Sequence, residues 1–439
     1  MSSCHSPSTR NMKTVGFWTH IFFRLLRRAL VIYKSSIWWF LGYTKLYRRT
    51  YEKSARVERV IWRSKADIFS AIKPWQFMGS HERFENPDFV LREDVIFCCL
   101  TVDEAVFVQL PSHIRNYTGD RCPFLWITLF DKAVRTITMP LKSLIRLAET
   151  DDRVSSFKVK GLLISNSGRC GSTLLAKMVQ LASDRVLVLS EPDPLQCLQE
   201  YTRRLKGKYG EKEFIRIIRS AMLLSFKPVQ GVDAIVIKIR MTCMRVLKYV
   251  YQAAPELKHI YVQRKDRLKT IQSWERAFGQ ALEAKFFNFA CRLGLMQFLV
   301  RHSYNAEKDQ MRVLATADKY FKFSMFETMA MLWADNLNAY EYCRDNYGME
   351  SIFYEEITAD PIGALEKTFR IMGMCENGLH KRNGGHSDQE ILAGLKSDSQ
   401  KDTPLSMEVL DSRKATPLTP AVKNRLNQFM TDLGMPLFD

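Results

Sequence analysis

Gly168, Arg169, Cys170, Gly171, Ser172 and Thr173 stand in a row between an apolar run ending at Ser165 and a helix-patterned stretch that runs on to Leu181. Glycines at 168 and 171 let the backbone curl so that successive N–H groups converge. A helix opening at Ser172 adds the positive end of its dipole at the same point. Such a turn suits an anion. A nucleotide-hydrolysing loop carries G-x-x-x-x-G-K-[ST], whose lysine reaches the β and γ phosphates, whereas here Gly171 directly precedes Ser172. The residues predict a site for a phosphate-like group with Arg169 as its cation, and argue against ordinary ATP or GTP hydrolysis. The plainer alternative is a strand-to-helix turn that holds no ligand.

A second basic cluster follows another apolar run, His259 to Val262, which leads into Arg264, Lys265, Asp266, Arg267 and Leu268 and then a helical pattern carrying Ser273. The two clusters together resemble the sulfotransferases that use 3'-phosphoadenosine 5'-phosphosulfate (PAPS). The likeness is closest in flavour to bacterial trehalose sulfotransferase-like proteins, whose second motif reads R-R-D-K-L-x-Q-A-x-S. The segment SIFYEEITADPIGALEKTFRIMG, residues 351 to 373, is similar to a late strand, loop and helix of that family, and the resemblance covers residues 158 to 375. It implies a P-loop fold and PAPS as cofactor, with no metal required. It also implies that Gly168, Arg169, Cys170, Gly171, Ser172 and Thr173 hold the 5'-phosphosulfate, and that Arg264 and Ser273 hold the 3'-phosphate.

The proton acceptor is less direct. Many cytosolic members of that family use a histidine, but no histidine lies between His113 and His259. Trehalose-type proteins place a glutamate after the second strand, and VLVLSEPDPL sets Glu191 there. A carboxylate within reach of an acceptor hydroxyl can take its proton, so the resemblance makes Glu191 the general base and Arg169 the catalytic cation. Asp193 is the reserve. Ser-Glu-Pro-Asp also reads as a turn before a helix, with Glu191 a loop or capping carboxylate. Lys238 and Arg240 share one face of the strand pattern DAIVIKIRMTC. Charges there are costly unless paired, which leaves Lys238 open to a role at the end of the strand.

Strand patterns at 161 to 165, 186 to 189, 235 to 239, 258 to 262 and 351 to 354 alternate with helical ones. They predict an α/β doubly wound parallel sheet with helices on both faces, whose ligands sit beyond the carboxyl ends of the strands. Residues 274 to 345 read as a helical insertion within a domain spanning 158 to 375, and 376 to 439 as a loop and final helix. Residues 66 to 150 read as a small α+β or β-rich accessory module. In it DVIFCCLT and AVFVQLP form a hairpin, FLWITLFDKAVRTITMP gives two more strands, and LKSLIRLAE is a helix.

The net charge is +18 over 439 residues, and residues 1 to 65 hold 14 Lys and Arg against 2 Asp and Glu. With no helix-turn-helix, zinc-finger or RNA-recognition pattern, that basicity gives no ground for nucleic acid as a partner. Residues 15 to 47 interleave Trp, Phe, Leu and Ile with Arg24, Arg27, Arg28 and Lys34, a pattern suited to lying on an anionic membrane surface rather than crossing it. The 10 cysteines lack C-x-x-C spacing, which fits a reducing, cytoplasmic compartment, although a type II Golgi anchor stays open. No histidine cluster suggests a metal. The competing functions are a PAPS-dependent sulfotransferase acting on a carbohydrate or glycolipid hydroxyl, a P-loop small-molecule kinase, and a non-catalytic membrane-associated protein retaining the fold.

Overall fold

The computed structural model describes residues 17–65, 70–278, 293, 295, 308–322, 324–374, 387–395, 398, 400, 405–413 and 418–438. Parts of the helical insertion expected over 274 to 345, and of the loop expected after 376, lie outside the described residues. Cys4, Cys291 and Cys375 do as well.

Helices α1 (Phe17–Phe40) and α2 (Thr44–Tyr51) precede a sheet built from β1 (Ala55–Arg63), β2 (Phe77–Glu85), β3 (Val95–Leu100), β4 (Glu104–Gln109) and β5 (Arg135–Pro140). The strand order is β2-β1-β5-β4-β3, every pair antiparallel. Between β4 and β5 lies α3 (Leu125–Lys132), and α4 (Leu141–Thr150) follows β5. The first half of FLWITLFDKAVRTITMP is therefore a helix and not a strand. Its apolar run is buried on nearly every side, and a run with that pattern is compatible with either element until length and neighbours decide.

The second sheet is parallel throughout, in the order β10-β9-β6-β8-β7. Its elements are β6 (Lys160–Asn166), α5 (Ser172–Ala182), β7 (Val186–Ser190), α6 (Pro194–Ser225), β8 (Ala234–Lys238), α7 (Leu247–Ala253), β9 (Lys258–Gln263), α8 (Arg267–Phe278) and β10 (Glu350–Phe353). The strands are covered on both faces, and successive residues serve opposite cores. Leu162, Ile164, Val188 and Val236 pack with α5, while Leu163, Leu187, Leu189 and Ile237 join the apolar core around α6 and α7. That second core is continuous with the antiparallel sheet through Val95, Phe97 and Phe107. From β6 the chain moves to one side of the sheet and from β9 to the other, so their adjacent carboxyl ends flank the crevice at which such sheets bind ligands.

A buried histidine sets an acid limit on this fold. His259, in β9, stacks on Tyr251 at 3.9 Å between ring centroids, and neither ring nitrogen has a hydrogen-bond partner among the described residues. Burial, aided by Lys258, pulls its pKa from 6.5 down to about 3. The unfolded chain thus takes up a proton between pH 6.5 and about 3 that the folded chain excludes. His259 leaves stability unchanged above that window and lowers it as pH falls through it, by about 1.4 kcal/mol per pH unit. Urea titrations from pH 7 to pH 4 should show a shallower acid decline in His259→Phe; the same slope in both proteins would mean that the folded ring accepts the proton.

Candidate active site

The turn between β6 and α5 is held from below before it can hold anything above. Asn166 Nδ2 donates to the Ile239 carbonyl at 2.8 Å, its Oδ1 accepts from the Gly168 amide at 3.0 Å, and the Ser167 amide reaches the Val262 carbonyl at 3.0 Å. Asn336 Nδ2, on the helix Met325–Tyr347, donates to the carbonyls of Asn166 and Met241 at 3.1 and 3.2 Å. Gly168, Arg169 and Gly171 have φ of 75°, 51° and 82°. A Cβ on Gly168 would stand 2.2 Å from the Trp274 ring, and one on Gly171 2.6 Å from the Tyr354 ring. Glycine is required there for space as well as for backbone conformation. Cys170 turns inward, its Sγ 3.0 Å from the Val262 carbonyl, and burial pushes its thiol pKa up. It contributes backbone to the turn and an inert filler to the core.

The two sequence clusters meet. Arg169 Nε donates to Ser273 Oγ at 3.0 Å, and Nη1 donates to Gln400 Oε1 at 2.6 Å; Gln400 Nε2 lies 3.4 Å from Thr173 Oγ1. Ser172, Thr173 and Ser273 are all buried. Burial lowers the Arg169 guanidinium pKa to about 10, against the pull of Asp398, with Arg276 and Arg264 pushing it further down. Three guanidiniums therefore share one electrostatic neighbourhood. The Arg264 side chain lies 4.8 Å over the Tyr354 ring, and its Nε is 3.9 Å from Glu355 Oε1. The Nε atoms of Arg264 and Arg276 are buried without a hydrogen-bond partner among the described residues. Clustered arginines with unspent donors beside a helix amino end are suited to an anion.

Beyond this crevice, on the other side of β8, stands Glu191. It follows the last residue of β7, its amide donates to the Lys238 carbonyl at 2.6 Å, and its carboxylate pairs with Lys238 Nζ. The Lys238 side chain is 2% exposed and that of Glu191 15%, so the lysine is enclosed while the carboxylate keeps an outlet. Lys238 also lies 5.7 Å over the Phe124 ring. Among the described residues, only two non-glycine residues have positive φ: Arg169, and Glu191 at 58°. Such a backbone costs about 1–3 kcal/mol per residue and persists where the surroundings impose it, often at working sites. Asp193 is differently placed. Fully buried, it accepts from the Ile72 amide at 2.7 Å and pairs with Arg240 at 2.8 Å. Burial raises its carboxyl pKa while Arg240 pulls it down. It joins the accessory sheet to the parallel one and does not face the crevice as a base would.

Sequence reasoning left out Arg276, Asp398, Gln400, Asn336 and Trp274. Arg276 carries a signal, since it lies three residues after Ser273 on α8 and so shares its face. Gln400 and Asn336 carry none, because they arrive from distant parts of the chain.

No protein-family model matches this chain and no curated protein matches it. Among solved structures it is similar to the mouse sulfotransferase SULT7A1 complexed with PAP, at 13% identity and a TM-score of 0.30, over 65% of this chain and 90% of that one. It is also similar to a sulfotransferase from Alicyclobacillus acidocaldarius, at 12% identity and a TM-score of 0.27, over 58% of this chain and 96% of that one.

The pairing of Glu191 with Lys238 has a measurable consequence. Glu191→Ala strands an enclosed ammonium and should lower the unfolding free energy by about 3–5 kcal/mol. Lys238→Met should cost less, since Glu191 retains contact with water. The double variant should recover most of the loss. Denaturant titration of the four proteins measures the coupling; additive losses would show that the two side chains do not depend on each other.

Proposed function

We propose that this chain transfers a sulfuryl group from PAPS to an acceptor hydroxyl. The observation that carries the reading is the bond between Arg169 and Ser273, which brings the loop after β6 and the helix after β9 to one crevice beside Arg264. A ligand with separate 5' and 3' phosphate groups fits two such clusters better than a linear triphosphate does. Arg169, Ser172, Thr173 and the amides of Gly168, Cys170 and Gly171 would hold the 5' end, and Arg264 and Ser273 the 3'-phosphate. The left-handed backbone at Gly168 and Gly171, which lets the loop amides turn toward one point, supports that assignment.

When bound, PAPS supplies an activated sulfuryl group; the chain supplies position and charge. Arg169 presents planar donors where negative charge grows. Glu191 receives the acceptor's hydroxyl proton on a carboxylate oxygen, and Lys238 orients that carboxylate from behind. The carbohydrate or glycolipid nature of the acceptor rests on the resemblance to trehalose-type proteins. A small-molecule kinase is the weaker reading, because Gly171 precedes Ser172 where a kinase loop needs its lysine.

Calorimetry should show adenosine 3',5'-bisphosphate binding more tightly than ATP, and equal or tighter ATP binding would sink the proposal. Arg264→Ala should weaken the bisphosphate by about 1.5–3 kcal/mol and leave 3'-dephosphorylated analogues nearly unchanged. In turnover of labelled PAPS with a lipid and glycan extract, Glu191→Gln should lose roughly 100-fold or more while bisphosphate affinity stays the same. Activity within a few-fold of the unaltered protein would remove Glu191 from the chemistry.

A further inference from the structure

We propose that the hairpin joining α1 to α2 is a tip that inserts into one leaflet of an anionic lipid bilayer. The first part of α1 is docked most closely on the protein. Phe23 is buried against Trp62, with ring centroids 5.1 Å apart, His20 Nδ1 meets Ser64 Oγ at 3.0 Å, and Arg27 Nε donates to the Phe77 carbonyl at 2.8 Å. Beyond that only one side of the helix faces the body, through half-buried Lys34 near Glu58 and through Trp38, which packs on Tyr47 at 4.4 Å. Leu30, Val31, Ile32 and Tyr33 are all exposed, and four consecutive helical residues point around the whole circumference. A helical stretch that leaves this much apolar surface open is normally enclosed by something apolar.

The hairpin end is the most exposed part, with Trp39 at 77% and Phe40 at 84%, followed by Leu41, Tyr43 and Leu46. Part of its backbone is already satisfied. The amides of Leu41, Gly42, Tyr43 and Tyr47 donate to the carbonyls of Ile37, Trp39, Trp38 and Tyr43, respectively, at 2.9–3.1 Å, and Gly42 turns the chain at φ 70°. Each such bond lowers the cost of entering hydrocarbon. The charges are arranged to match lipid. Arg24, Arg28 and Lys34 on α1, and Lys45, Arg48 and Arg49 on α2, flank the apolar end, Lys34 lying 4.7 Å over the Trp38 ring, and Glu52 is the only acid between residues 17 and 54. Residues 35–40, beyond Lys34, extend about 9 Å as a helix, roughly a third of a hydrocarbon core, and no described helix is long and apolar enough to cross a membrane.

Other occupants fit less well. Residues 1–16 offer Met1, Met12 and Val15 as their bulky apolar side chains, too few to cover this surface. A second copy would bring its own ring of cations against this one.

The full chain should sediment with phosphatidylcholine vesicles doped with phosphatidylserine, more weakly with pure phosphatidylcholine, and more weakly as salt rises. Tryptophan fluorescence should shift to the blue on binding and be quenched by brominated lipid. Trp39→Ser/Phe40→Ser/Leu41→Ser should reduce binding by about tenfold or more without changing the melting temperature. Arg48→Glu/Arg49→Glu should weaken binding to the phosphatidylserine vesicles selectively. Unchanged vesicle binding by the triple serine variant would overturn the proposal. So would a chain that ignores vesicles but forms a dimer that the same variant dissociates. Neither result bears on bisphosphate binding.

Discussion

An ammonium enclosed at the end of a central strand has to be answered by a negative charge, and much of the candidate site follows from how Lys238 is answered. Its partner Glu191 comes from the end of the neighbouring strand, so the pair fastens the carboxyl ends of β7 and β8 together. The backbone bond from the Glu191 amide to the Lys238 carbonyl holds the same joint. With both in place, Glu191 is kept in a left-handed conformation that an isolated chain would leave. The carboxylate thereby stands beyond the end of β7, backed by a cation and open on one side.

The same rule of paired buried charge continues along the chain after β8. Arg240 meets Asp193, which also takes the Ile72 amide, and Arg245 meets Asp335 on the helix Met325–Tyr347. The residue after Asp335 is Asn336, which reaches the backbone at Asn166 just below the loop after β6. Accessory sheet, parallel sheet and insertion helix are therefore joined by polar contacts that converge under the site. Removing one partner from any of these pairs would leave a desolvated charge, which makes the joints rigid.

On the other side of β8 the logic reverses. Arg169, Arg264 and Arg276 are brought near one another with Asp398 and Glu355 as their nearby carboxylates. Positive charge is concentrated instead of cancelled, in a setting where burial strengthens its field. Where Lys238, Arg240 and Arg245 are each answered by a carboxylate, these three arginines are gathered together, an arrangement suited to an anion.

How much of this was legible beforehand depends on how far each signal reaches along the chain. Strand-loop-helix units 161–182 and 258–278 could be read directly, because apolar runs, glycines and basic residues act over a few neighbours. Arg169, Glu191, Arg264 and Ser273 were visible as types in a pattern. The helix Leu125–Lys132 was not, since its apolar run fits either periodicity and only packing chose between them. Nor could the sequence say that Lys238 would answer Glu191, that Asp193 would be spent on Arg240, or that Arg276, Asn336 and Gln400 would gather at the loop. By itself the sequence determined an alternating α/β chain with two anion-seeking turns and a cationic, aromatic amino-terminal segment. Only the tertiary structure decided which charges cancel and which are left to act, because an ion pair or a shared crevice depends on distance in space, and strand order sets that distance independently of separation along the chain.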